Sequence, residues 1–431
     1  MKNRITGSML GAVVAAAAVS AVISVAVTRT PSASAGSAQF APKAMNSARC
    51  RAATRPNGIG RSSALASRTS QAKSVFTSVG VYDLRSNEFA VILDAIPFSE
   101  GNEPIYYVGG EWAPGDEALF VRRVRHKGYW RSRREWALVP IGERHSDKMW
   151  AEYRLYPASA EITSLKTGVS LASGIIDGHR GLFEITDEGI RPWRSLSGVR
   201  GDINFAQMSD NGEAAVFVNE SLTRPPEIYV SRQGDISRLT ELNSSISARA
   251  MPNAREIFWR GANGVRSQGW LLTPSDAPLG HGMPLLTFLH GGPSVPMTNA
   301  FAQYFTSYGG VWPYPLEVLA MKDVAVFIPN YHGTESFGND YANPARSDGE
   351  ALDDVLSGIE SLIEQGVADP KRIAISGHSH GAWLGSLALT RRKDAIAGIF
   401  SEGPQNNVLT YIFSPASFYE SGYHALWGAS L

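Results

Sequence analysis

A chain of 431 residues is too long for one ordinary hydrophobic core, so its length predicts about two to three domains. Lys plus Arg and Asp plus Glu both total 40, which leaves no net field to draw in nucleic acid, and the 10% aromatic content excludes bulk disorder. The lone cysteine, Cys50, excludes an intrachain disulfide and a Cys-built metal centre.

The first segment reads as an address. After Lys2 and Arg4, no charge occurs from Ile5 to Thr28, and small residues from Pro31 to Ala38 then offer cleavage sites. Residues 1–38 are read as a signal peptide, with an uncleaved N-terminal membrane anchor as the alternative. Either predicts an exported protein, periplasmic, extracellular or held at the membrane. Residues 39–74, rich in Ser, Ala and Arg without periodicity, read as a flexible tether.

Residues 75–245 show short apolar alternations broken by turn residues, an all-β signature. The stretches Trp112–Val121 and Met208–Val218 each read as strand, Gly-containing turn and strand, and Val81–Leu93 fits a third such hairpin. With blades of about 40 to 50 residues, the region predicts roughly four blades of a propeller-like domain, with a β-sandwich as the alternative. The run Arg122-Arg123-Val124-Arg125-His126-Lys127, followed by Trp130, Arg131, Arg133 and Arg134, has the basic and aromatic mixture of RNA binders. It is read instead as a solvated strand pair and its loop, so no nucleic acid partner is expected.

The period changes in residues 250–431. Leu285–Leu289, Val324–Ile328, Arg372–Ser376 and Ile396–Phe400 are nearly continuous apolar runs, as strands buried on both faces should be. A helix is predicted over Gly349–Gln365, with Leu352, Val355, Leu356, Ile359, Leu362 and Ile363 on one face and Ser347 and Glu350 at capping-box spacing. Alternating strands and helices imply a mostly parallel sheet whose ligands gather at the C-terminal strand ends.

Chemistry-bearing motifs fall at those ends. Gly377-His378-Ser379-His380-Gly381 has the G-x-S-x-G pattern of a nucleophile elbow, in which small residues permit a strained strand-to-helix turn that exposes the hydroxyl. His290-Gly291-Gly292-Pro293 follows another strand, and backbone N–H groups of Gly291 or Gly292, with that of His380, make a candidate oxyanion hole. His378 and His380 could suggest a metal pair, but no carboxylate or third histidine lies close in sequence, so no metal and no cofactor is expected.

The segment from Ile257 to Gly398 resembles the catalytic domain of the prolyl oligopeptidase family of serine peptidases. The resemblance is carried by Asn263–Pro274, His290–Pro293, Asn330–Gly338 and Gly366–Arg372 leading into the elbow, and loosely by Pro225–Val230 and Leu239–Asn243. It implies a β-propeller screening an α/β-hydrolase domain, with short peptides as substrates and Ser379 as nucleophile. His332 stands where the family usually has Arg, and Ala382 where a second Gly usually follows the elbow.

A serine needs a histidine to take its proton and an acid to orient that histidine. The resemblance places these about 80 and 110 residues after the serine, beyond Leu431. The expectation is therefore an α/β-hydrolase catalytic domain lacking its last strands. Asp394, after Arg391-Arg392-Lys393 and before a strand, reads as a solvated turn residue at the opposite sheet end; Glu402 and His424 remain as a substitute acid and base. The readings are a serine peptidase working through an acyl-enzyme, an inactive remnant or peptide-binding protein, and an esterase or acyl hydrolase.

Overall fold

The computed structural model describes residues 51–54, 61–69, 75–83, 88–93, 105–113, 118–126, 132–141, 151–152, 155, 162–165, 167–186, 189–276, 282–292, 294–302, 304–307, 310–313, 316–342 and 347–403. The signal or anchor reading of 1–38, Cys50 and His424 lie outside these residues.

Four antiparallel four-stranded sheets come first, each strand pairing with the next in sequence. They use residues 51–93, 105–152, 162–192 and 202–238. The hairpins read from sequence are present: Ile105–Trp112 pairs with Ala118–His126, Asp202–Met208 with Ala214–Ser221, and Val75–Asp83 with Glu88–Leu93. Alternation explains them, since every second residue reaches a shared core. Val79 and Leu119 meet between the first and second sheets, Phe120 and Phe183 between the second and third, and Leu182 and Phe217 between the third and fourth.

Two sequence expectations are corrected here. Strands Arg51–Thr54 and Arg61–Thr69 lie within the stretch read as tether, the second pairing with Val75–Asp83 along its whole length. Ladder hydrogen bonds come from the backbone, so a Ser/Ala-rich segment with no apolar period can still join a sheet. The basic run is not simply solvated: Arg122 and Arg123 are buried, and Arg123 donates to Glu135 Oε2 at 2.6 Å across the strand pair.

The second region is one mixed sheet. Its strands are β1 Asn253–Arg260, β2 Arg266–Thr273, β3 Met283–Leu289, β4 Ala325–Asn330, β5 Ala368–His378 and β6 Ile396–Glu402, in the order β1-β2-β4-β3-β5-β6. β1, β2 and β4 pair antiparallel; β4, β3, β5 and β6 run parallel. Helices α1 Leu316–Ala320, α2 Asn339–Ala342, α3 Ser347–Glu364 and α4 His380–Arg391 accompany it. Leu352, Val355, Ile359 and Leu362 of α3, with Leu384 and Ala388 of α4, bury against Leu285, Phe327 and Ile375 on one face. Leu316 and Ala320 of α1 cover Trp270, Phe288 and Ile328 on the other. Both faces being covered, the strands read as continuous apolar runs. No described helix is long and apolar enough to cross a membrane.

Contacts tie the two regions together. Arg134 reaches from the second small sheet to Glu335 at 2.7 Å, and the turn at Asp177 donates its N–H to the Ser336 carbonyl at 2.9 Å. Both partners belong to the loop after β4, so the second and third small sheets rest against the C-terminal end of that strand.

Candidate active site

β5 runs into the G-x-S-x-G turn and α4 starts at His380. Ser379 holds φ 53° and ψ −116°, a backbone conformation that a side chain makes costly. The flanking glycines are required by space. A Cβ on Gly377 would lie 2.4 Å from the Gly381 backbone, and one on Gly381 would lie 2.2 Å from the Leu289 carbonyl oxygen. The strained turn is pinned on both sides, since Ser379 N–H donates to the Glu402 carbonyl at 2.8 Å and Trp383 N–H donates to the Ser379 carbonyl at 3.1 Å.

The His290 turn lies against this elbow. A Cβ on Gly291 would sit 3.0 Å from His378 Cδ2 and 3.3 Å from Ser379 Cβ, so only glycine lets the backbone approach the nucleophile so closely. His290 is buried and stacks on Tyr331 at 4.3 Å. Burial pushes its pKa down to about 4, which keeps the ring neutral near pH 7. In that state Nδ1–H donates to the Gly291 carbonyl at 2.9 Å and Nε2 accepts from Thr334 Oγ1 at 3.1 Å. The Tyr331 hydroxyl donates to the His290 carbonyl. These bonds lock the turn, and the Gly291 carbonyl shares its peptide plane with the Gly292 N–H.

Ser379, Gly291, Gly292 and His380 are thus gathered at the ends of β3 and β5. Glu402 ends β6 beside them, about half exposed, with its carboxylate 3.5 Å from His378 Nδ1. Its substitute partner from sequence, His424, lies outside the described residues. Asp394 lies in the turn before β6, at the opposite end of the sheet from the elbow.

Sequence reasoning missed two carboxylates on α3. Asp348, in the first turn of α3, accepts from His380 Nε2 at 3.1 Å and Trp383 Nε1 at 2.9 Å. Burial pushes this carboxyl up, but the hydrogen bond and charge of His380, with the Trp383 bond, outweigh it and hold the pKa below 3.8. Glu350 Oε1 accepts from Asn263 Nδ2 at 3.0 Å. Asp354, fully buried, accepts from Ala262 N at 2.7 Å, Ser267 Oγ at 3.2 Å, His332 N at 2.7 Å and His332 Nδ1 at 2.6 Å. The signal that could have found it was His332 itself, a departure from the family pattern that needed an acidic partner.

The chain is 27% identical over 216 residues to an uncharacterised peptidase of Bacillus subtilis, the match covering 49% of this chain and 31% of the relative. It is 33% identical over 152 residues to dipeptidyl aminopeptidase BIII of Pseudoxanthomonas mexicana, covering 34% of this chain and 20% of that protein. The solved acylaminoacyl peptidase of Pyrococcus horikoshii superposes with a TM-score of 0.59 at 20% identity, over 85% of this chain and 55% of that one. The chain therefore spans about a third or less of these curated relatives and about half of that structure. The solved neighbours share its fold, with an α/β-hydrolase domain. Residues 313–430, which include the elbow, match the sequence profile of the prolyl oligopeptidase family, and it is this family that the hydrolase region resembles.

Proposed function

We propose that this protein is a serine-type peptidase that cleaves short peptides through an acyl-enzyme on Ser379. The observation that carries the reading is the strained, glycine-flanked Ser379 set against the Gly291 turn. Ser379 Oγ adds to the scissile carbonyl while its proton passes to a base. The oxyanion that forms takes hydrogen bonds from the Gly291 or Gly292 and His380 N–H groups. Collapse breaks the C–N bond, the amine leaves with a proton, and water then frees the acid. Two acid and imidazole pairs flank the elbow, Asp348 with His380 and Glu402 with His378, and the part of each in proton transfer is read from His380→Ala and His378→Ala.

The four small sheets act in this reading as propeller-like blades that limit entry to short, unfolded peptides. The names of the relatives, a dipeptidyl aminopeptidase and an acylaminoacyl peptidase, support a peptide as substrate. Export follows from the N-terminal segment, and is tested by fractionating cells for the mature protein. For the chemistry, a fluorophosphonate probe is applied to purified protein: Ser379 is expected to be labelled, and Ser379→Ala not. An unlabelled wild-type protein refutes the enzyme reading, and labelling with ester turnover but no peptide turnover assigns an esterase.

A further inference from the structure

A cavity of about 840 Å³ lies where the third small sheet meets the hydrolase domain, walled by Asp177 and His179 on one side and by β1, β2 and the start of α3 on the other. Ser379, His378 and Gly291 are not among its walls.

Two hydrogen-bond acceptors in the cavity wall have no donor among the described residues. His332 is only 6% exposed, and its Nδ1–H is committed to Asp354 Oδ2 at 2.6 Å. In the neutral ring Nε2 is then a lone-pair acceptor, and no described residue donates to it. Glu350 gives Oε1 to Asn263, whereas its buried Oε2 has no partner among the described residues. A buried carboxylate oxygen without a donor is rare in folded proteins and asks for an explanation. The other charges around the cavity are matched locally. Glu256 takes His179 at 3.0 Å and Gln268 at 3.1 Å, Asp340 faces Arg133 at 3.7 Å, and Arg266 lies 3.6 Å over the Phe258 ring.

We propose that this cavity binds an organic ammonium group, the –NH₃⁺ of a peptide amino terminus or of a free aliphatic amine, through His332 Nε2 and Glu350 Oε2. An ammonium carries three donors and no acceptor, which matches a site offering two acceptors and one unpaired negative charge. Tyr341, stacked on His332 at 4.2 Å, and Phe337, 5.3 Å from Tyr341, supply aromatic faces for the cation or its methylenes. At His332 Nε2 and Glu350 Oε2 a carboxylate ligand would meet acceptors only. A metal is disfavoured, because among the described residues no three His, Cys, Asp or Glu side chains gather as a ligand set.

Titration calorimetry on the purified full chain at about pH 7, where α-amino groups are mostly protonated, tests this with putrescine, Gly-Gly-amide and N-acetyl-Gly-Gly-amide. Saturable binding of either free amine, weakened about tenfold or more by acetylation, is expected. Tighter binding of Gly-Gly-amide than of putrescine assigns a peptide terminus; the reverse assigns a free amine. Glu350→Gln should lower affinity about tenfold, while Asp353→Asn, on the outer side of α3 against Arg391, keeps it. Val265→Trp, which fills the cavity from a position 42% exposed, should abolish binding with the core untouched. No saturable amine binding, equal binding of the acetylated probe, or unchanged affinity in Glu350→Gln overturns the assignment. The readout needs no turnover, so its failure is distinct from failure of the peptidase reading.

Discussion

Asp348 and His380, 32 residues apart, are joined by a hydrogen bond of 3.1 Å that ties the first turn of α3 to the residue following the nucleophile. Asp348→Ala removes an acceptor from both His380 and Trp383. Leaving such partly buried donors unpaired costs about 1–3 kcal/mol. Because the folded pKa is depressed, this stability is present above pH 3.8 and is lost as pH falls below it, so the variant and wild type should converge in strong acid. Urea denaturation at about pH 7 and at about pH 3 checks both parts.

Strain at Ser379 predicts a trade between stability and chemistry. Ser379→Gly relieves a φ of 53° and should stabilise the fold by about 1 kcal/mol while ending fluorophosphonate labelling. Gly381→Ala destabilises instead, since its Cβ would press on the Leu289 carbonyl at 2.2 Å. Overpacking of that kind costs about 1–3 kcal/mol, read as a lower melting temperature with labelling also lost.

Asp354 gathers donors from Ala262, Ser267 and His332 in a fully buried position. Asp354→Ala orphans them together, and a loss of about 3–5 kcal/mol is expected, larger than for any single exposed carboxylate. A guanidinium denaturation midpoint unchanged from wild type would refute this account.

Glu317 on α1 gives the opposite pH signature. Burial raises its pKa to about 7, while Oε1 accepts from Ala302 N at 3.0 Å. A raised folded pKa means the stability is full below pH 4.5 and is lost as pH climbs through about 7. Glu317→Gln keeps the acceptor and removes the titration. The variant should match wild type near pH 5 and exceed it by about 1–3 kcal/mol near pH 8, measured by thermal unfolding across that range.

Much of the catalytic face was legible in the chain. The apolar runs at Leu285–Leu289 and Ile396–Phe400 fall inside observed strands, and Gly349–Gln365 matches α3 within two residues at its start and one at its end. Periodicity reports burial directly, which is why these elements could be read. The first two strands of the first small sheet could not, because Arg61–Thr69 enters its ladder through backbone groups that carry no sequence signal. Arg123 was misjudged for a related reason: its burial depends on Glu135 lying opposite it across a hairpin.

The sequence by itself determined the elbow at Ser379, the glycine turn at Gly291 and the alternation of strand and helix that carries both. Each is local, a matter of residue size and apolar spacing over a few positions. Only the tertiary structure decided which polar side chains meet: Asp348 with His380, Asp354 with His332, Arg134 with Glu335. Those pairs join segments far apart in the chain, and a side chain's partner is set by how the elements pack, which no short window of sequence contains.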